Sequence, residues 1–257
     1  MLKDVQGEQD LRNVPLKHVG IKNLRWPIIV KDKTKGIQHT VAEITMAVDL
    51  PHDLRGTHMS RFVECLENLG EVSPAALQKI LDTLKDKLSA EKAMLEMEFT
   101  YFITKTAPVS KQTALLDLNC RYRAEKAKSF ELYVSVEVPI HTLCPCSKEI
   151  SAYGAHNQRA VAKVEICTKE LVWIEELVTM AESGASSPIY PLLKRPDEKF
   201  VTEQAYENPR FVEDAVREIA LSLENDARIN WYKVTVESLE SIHNHSAFAC
   251  VEKGIED

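Results

Sequence analysis

The same order of strand-like and helix-like segments occurs twice along this chain, and that recurrence limits the fold more than any other feature. Residues 24–30 and 40–50 are rich in β-branched and apolar side chains near a period of two, the pattern of half-buried antiparallel strands. A short helix over 59–69, ended by Gly70, follows them. The next helix starts at Ser73-Pro74, a capping residue and a first-turn proline, and carries Leu77, Ile80, Leu81, Leu84 and Leu88 on one face. Strands at 93–105 and 113–123 close this half.

The second half runs in the same order, with strands at 130–138 and 160–168 and a helix at 171–182. A helix opened by Asn208-Pro209 comes next, then strands at 231–239 and 245–251. Twenty-five residues separate Pro74 from Phe99 and Pro209 from Val234, and Val48-Asp-Leu50-Pro51 is echoed by Val136-Glu-Val138-Pro139. The expected architecture is α+β, with two copies of strand–strand–helix–helix–strand–strand. Its divisions are an N-terminal arm at 1–18, a first copy at 19–126 and a second at 127–257. The second copy is longer, and its additional residues, 154–159 and 183–200, read as loops where a site would be built.

A chain of 257 residues can bury one large core or two modest ones. Its net charge of −7 and pI near 5.7 give no general affinity for nucleic acid or for acidic membranes. No apolar run approaches the ~18 residues of a membrane span, and the polar N-terminus lacks a signal-peptide core, so the expected location is cytoplasmic. The six cysteines are scattered except for Cys144-Pro-Cys146 and are read as reduced thiols; Cys65, Cys120, Cys167 and Cys250 sit among apolar neighbours as core thiols. No glycine-rich phosphate loop of the Walker or dinucleotide type is present, which argues against an ATPase or a nicotinamide enzyme.

The chemistry concentrates in two places. His141-Thr-Leu-Cys144-Pro-Cys146-Ser-Lys148-Glu-Ile-Ser-Ala-Tyr-Gly-Ala-His156-Asn-Gln-Arg159 packs thiols, imidazoles, a carboxylate and cations into nineteen residues. Glu240-Ser-Ile-His243-Asn-His245-Ser246 adds two more histidines. The cysteine pair is too tightly spaced to favour a mutual disulfide. It reads as a metal ligand or reactive thiol, and a structural zinc staple is the competing reading, although such sites normally close with four ligands. His243 and His245 share parity and would face one way on an extended strand, one as ligand and one as proton carrier, or else as two surface histidines. Glu240 has the opposite parity and reaches that site only if the chain bends. Glu198 lies in a charged stretch, 194–199, that reads as a solvated loop, and Glu213 lies in the first turn of a helix, where it complements the dipole. Lys148, Arg159, Arg195 and Lys199 would suit a phosphate-bearing substrate, with solvated surface charge as the alternative of equal weight.

Over 143–159, with support from 240–247 and from Gly56-Thr-His58-Met-Ser-Arg61-Phe62, the sequence resembles the GTP cyclohydrolase IB family, and the resemblance covers essentially the whole chain. It implies a tandem tunnelling fold, each copy an antiparallel sheet with two helices on one face. It also implies homo-oligomeric barrels, dimeric or tetrameric, with sites at subunit interfaces. The implied reaction converts GTP and water to 7,8-dihydroneopterin triphosphate and formate, the entry to folate. By motif, Cys144, His156, Glu198 and His243 match metal-binding positions for manganese, zinc or iron, with Cys146 the rival of Cys144. Glu213 matches the residue that grips the purine edge. His156 and His245 would move protons, and Lys148, Arg159 or Arg195 would hold the triphosphate. The alternatives are another purine or pterin chemistry on the same fold, such as a thiol-based nitrile reduction, and a non-catalytic zinc-stabilised protein.

Overall fold

Two long hairpins frame the first half. In the computed structural model, which describes residues 4–67, 69–168 and 170–254, strand β1 (Leu16–Asp32) pairs antiparallel with β2 (Gly36–Leu50). The turn between them is built by Asp32, whose buried carboxylate accepts from Thr34 N (2.7 Å), Lys35 N (2.6 Å) and Gln38 Nε2 (2.6 Å). Gly36 completes it at a φ of 85°, which a side chain would resist. β2 pairs in turn with β3 (Ala93–Thr106), from Ala42↔Phe99 to Val48↔Ala93, and β4 (Thr113–Lys126) follows. Helices α1 (Ser60–Glu64) and α2 (Pro74–Leu88) lie between β2 and β3 in sequence. α2 starts as its sequence predicts: Ser73 Oγ accepts from Ala76 N at 3.3 Å, and Leu77, Ile80, Leu81 and Leu84 are buried. β1 begins inside the segment expected to be an arm, and residues 6–10 run along 53–56 through Gly56 N–Gln6 O (3.1 Å) and Asp10 N–Asp53 O (2.9 Å).

The chain divides into two compact units. Residues 1–100 with 121–133 form one, and 101–120 with 134–257 form the other, so the β3–β4 tip belongs to the second.

The second unit contains most of β5 (Phe130–Leu143), followed by α3 (Pro145–Ile150) and β6 (Asn157–Thr168). Then come α4 (Ile174–Ser183), β7 (Ser187–Pro188), α5 (Arg195–Glu207), α6 (Val212–Glu224), β8 (Ile229–Ser238) and β9 (Ala247–Gly254). Its strands are ordered β5-β6-β8-β9, with β7 beside β5. α6 buries Val212, Ala215, Val216, Ile219, Ala220 and Leu223, and α4 buries Ile174, Leu177, Val178 and Ala181. Gly184 permits their close approach, because a Cβ there would sit 2.6 Å from Ala215 O. The first half realises the strand–strand–helix–helix–strand–strand order, and the second keeps it only with α3, β7 and α5 inserted. None of the helices among the described residues is long and apolar enough to cross a membrane.

Three local expectations change. The stretch 194–199 is the first turn of α5 rather than a loop. Its proline stands in the first turn, and Asp197 accepts from Lys194 N at 2.8 Å. The helix expected to open at Pro209 opens at Val212. Asn208-Pro209 is a connector, pinned by Asn208 Nδ2 to Ala185 O (2.9 Å) and by Arg210 N to Leu143 O (3.0 Å). The last strand, expected from His245, begins at Ala247, and residues 239–246 form a bent loop between β8 and β9, so His243 and His245 are not on an extended strand.

Candidate active site

A cleft of about 490 Å³ opens where the ends of β5, β6, α6 and the 239–246 loop converge, entirely within the second unit. β5 delivers Thr142 and, one residue past its end, Cys144. Cys144 is the residue before α3, where its Sγ accepts from Ser147 N at 3.4 Å. Gly154, at a φ of 112°, helps the chain turn back, so that Cys144 N donates to His156 O at 3.1 Å. Ser147 ties the two residues together: its Oγ donates to Cys144 O and accepts from His156 N, each at 3.2 Å. Local backbone bonding therefore sets thiol and imidazole side by side on the cleft wall. Cys146 is exposed and does not contribute to that wall.

His156 Nδ1 lies 3.0 Å from Gln158 Oε1, and Gln158 Nε2 reaches Thr142 Oγ1 (3.3 Å) and Glu240 Oε1 (3.4 Å). From the far loop come His243 and His245, whose rings stack at 5.2 Å between centroids and 12° between planes. Their proximity comes from loop packing and not from strand parity. Glu240 reaches the cleft by register, one residue beyond the Leu239 N–Arg159 O bond that extends the β6–β8 ladder.

α6 and the connector before it supply Arg210, Phe211, Val212 and Glu213. Arg210 Nη1 pairs with Glu218 Oε1 at 3.2 Å, while its Nε is buried without a hydrogen-bond partner. The apolar walls include the rings of Phe211 and Phe248, which are 43% and 73% exposed.

The other expected residues lie elsewhere. Lys148 donates to Tyr206 O and lies 4.4 Å over the Tyr206 ring. Arg159 is exposed on β6, where its carbonyl accepts from Leu239 N at 3.0 Å. Arg195 and Glu198 are exposed in the first turn of α5, outside the cleft wall, and Lys199 pairs with Glu203 at 2.5 Å. That turn is anchored by the neighbouring Asp197, which is fully buried. Burial alone would raise its carboxyl pKa, but Ser110 Oγ (2.6 Å) and the N–H groups of Ser110, Lys194 and Val109 (2.8 Å each) outweigh it. The group is held well below the usual carboxylate range.

Among the described residues no group of three or more Cys, His, Asp or Glu side chains is already gathered around a metal position. The donor chemistry nevertheless fits a borderline divalent ion: a thiol and imidazoles share one wall, and Gln158 occupies His156 Nδ1, which leaves Nε2 open.

The type I GTP cyclohydrolase FolE2 family model matches residues 2–249. The chain belongs to that family. GTP cyclohydrolase FolE2 of Thermotoga maritima is 58% identical over 253 residues, covering 98% of both chains. The FolE2 protein of Caldicellulosiruptor saccharolyticus is 55% identical over 249 residues, covering 97% of both. Among solved structures, uricase from Arthrobacter globiformis superposes with a TM-score of 0.58 at 6% identity over 99% of this chain and 96% of that one. Bacillus sp. TB-90 urate oxidase gives 0.55 at 10% identity, over 94% of this chain and 100% of that one. These likenesses establish the α+β tunnelling fold.

Residues that sequence reasoning passed over also form this FolE2-family cleft. Gln158 carried a usable signal, since it lies two residues beyond His156 on a chain entering a strand and so shares its face. Thr142 stands two before Cys144 on the same reasoning. Arg210, Phe211 and Phe248 had none, because folding and not spacing brings them in.

Proposed function

We propose that the chain is a GTP cyclohydrolase of the IB type, which hydrolyses the imidazole ring of GTP, releases C8 as formate and yields 7,8-dihydroneopterin triphosphate for folate synthesis. One observation carries the reading: the cleft collects Cys144, His156, His243, His245 and Glu213 from three distant segments of a chain in this family.

Glu213 lines the cleft from the exposed first turn of α6, where its carboxylate can accept from the N1–H and 2-amino group of guanine. Arg210 Nε offers a buried donor to a purine acceptor. The rings of Phe211 and Phe248 offer faces for the base. That His156 and His245 line the cleft supports reading them as the groups that would move protons to and from the opening ring. Cys144, His156 and His243, with Glu198, would hold a manganese, zinc or iron ion; Glu198 enters on the resemblance, since it stands outside the wall. When bound, such an ion supplies Lewis-acid activation of water. Lys148, Arg159 or Arg195 would hold the triphosphate on the strength of their charge, since all three stand outside the cleft wall. The two exposed phenylalanine rings at the cleft favour cover by a second copy of the chain, hence a homo-oligomer with sites at its interfaces.

The test is to incubate purified protein with GTP and manganese, zinc or iron, with and without a chelator, and to assay formate together with fluorescent neopterin after oxidation. Metal-dependent release of both is expected. Folded protein that gives neither product with any of the three metals overturns the reading.

A further inference from the structure

We propose that Gln158 is a positioning residue for His156, fixed in one orientation by Glu240 and Thr142 so that its amide oxygen keeps the imidazole proton on Nδ1 and the Nε2 lone pair available. The inference deepens the functional reading above and rests on it for its link to turnover, but not for its structural content.

Two independent contacts fix the amide. A carboxylate only accepts, so the Gln158 atom 3.4 Å from Glu240 Oε1 must be the nitrogen. The Thr142 hydroxyl donates to Gln158 O at 3.5 Å, so its Oγ1 meets the Gln158 side chain as an acceptor, at 3.3 Å from Nε2. Both contacts turn Oε1 toward His156, 3.0 Å from Nδ1. An oxygen with only lone pairs there requires a proton on Nδ1, which leaves Nε2 as the base or ligand atom of the neutral ring.

The fold makes this arrangement unavoidable. β6 and β8 pair from Ala160↔Ser238, and the ladder continues one step further through Leu239 N to Arg159 O at 3.0 Å. The next residue on each chain is Gln158 and Glu240. Glu240 thereby acquires a role that neither its parity nor the neighbouring histidines indicated: it holds Gln158, and Gln158 holds His156.

The experiment uses full-length Gln158→Leu, Gln158→Glu, Glu240→Gln and the exchange variant Q158E/E240Q. Long-range nitrogen-15 NMR of histidine-labelled, metal-free protein, at a pH where the ring is neutral, should show His156 as the Nδ1–H tautomer in wild type. That preference should be lost in Q158L. In turnover of GTP, Q158E sets two carboxylates against each other and should lower kcat by roughly ten- to a hundredfold with KM changed less than threefold. Q158E/E240Q restores a donor on 240 and an acceptor on 158, and should recover at least tenfold of that loss. A purely structural role would leave the His156 tautomer in Q158L as it is in wild type. An Nε2–H tautomer in wild-type protein, or the absence of that recovery, overturns the proposal. Should the protein not turn over GTP at all, the tautomer measurement alone decides this proposal, separately from the functional reading.

Discussion

Removal of the Glu213 carboxylate should cost activity and change stability little. Glu213 is exposed in the first turn of α6 and borders the cleft. Glu213→Ala therefore removes only the carboxylate's complement to the α6 dipole, about 0.3–1 kcal/mol for such a first-turn group. In the proposed GTP complex the same carboxylate would accept two hydrogen bonds from guanine. Bonds to a charged group contribute about 1.5–3 kcal/mol each, so even the lower figure gives roughly 3 kcal/mol for the pair. At about 1.4 kcal/mol per tenfold, the expected loss in kcat/KM for GTP is on the order of a hundredfold. Glu213→Gln keeps one acceptor and turns a donor toward guanine's own donors, so it should lose nearly as much. The assay is formate release across a GTP series, beside a thermal melt of each variant. A kcat/KM within threefold of wild type, in a variant that melts normally, refutes the guanine-gripping role.

Gly184→Ala should destabilise by about 1–3 kcal/mol, because its Cβ would meet the backbone oxygen of Ala215 between α4 and α6; chemical denaturation reads this directly, and an unchanged midpoint would contradict the packing. Asp197→Asn should lower the melting temperature at neutral pH. The folded pKa of Asp197 is depressed, so its contribution is complete above the unfolded value near 3.8 and is lost as pH falls through the folded value. The gap between wild type and variant should accordingly narrow below about pH 4, and a gap constant across that range would count against the hydrogen-bond account.

Periodicity made the paired strands and α2 legible, since alternating burial and a Ser-Pro start are written locally in the chain. The density of thiols and imidazoles located the Cys144–His156 segment, a corner that Ser147 and Gly154 assemble over thirteen residues. α5 was hidden because its first turn is charged and its buried anchor, Asp197, binds residues 109 and 110, far off in sequence. Pro209 misled because Asn208 and Arg210 are held by Ala185 and Leu143, contacts no local pattern announces. The joint placement of Arg210, Phe248 and Glu240 in the cleft wall likewise depends on the second unit's ladder and on a bent loop, which parity rules for strands do not describe.

The most direct test of the claim that GTP is opened in this cleft compares wild type, Cys144→Ala and Cys146→Ala for formate and neopterin release, with circular dichroism to confirm folding. The account predicts that Cys144→Ala is folded and inactive, whereas Cys146→Ala, altered at an exposed position outside the wall, retains turnover. Full activity in Cys144→Ala would contradict it.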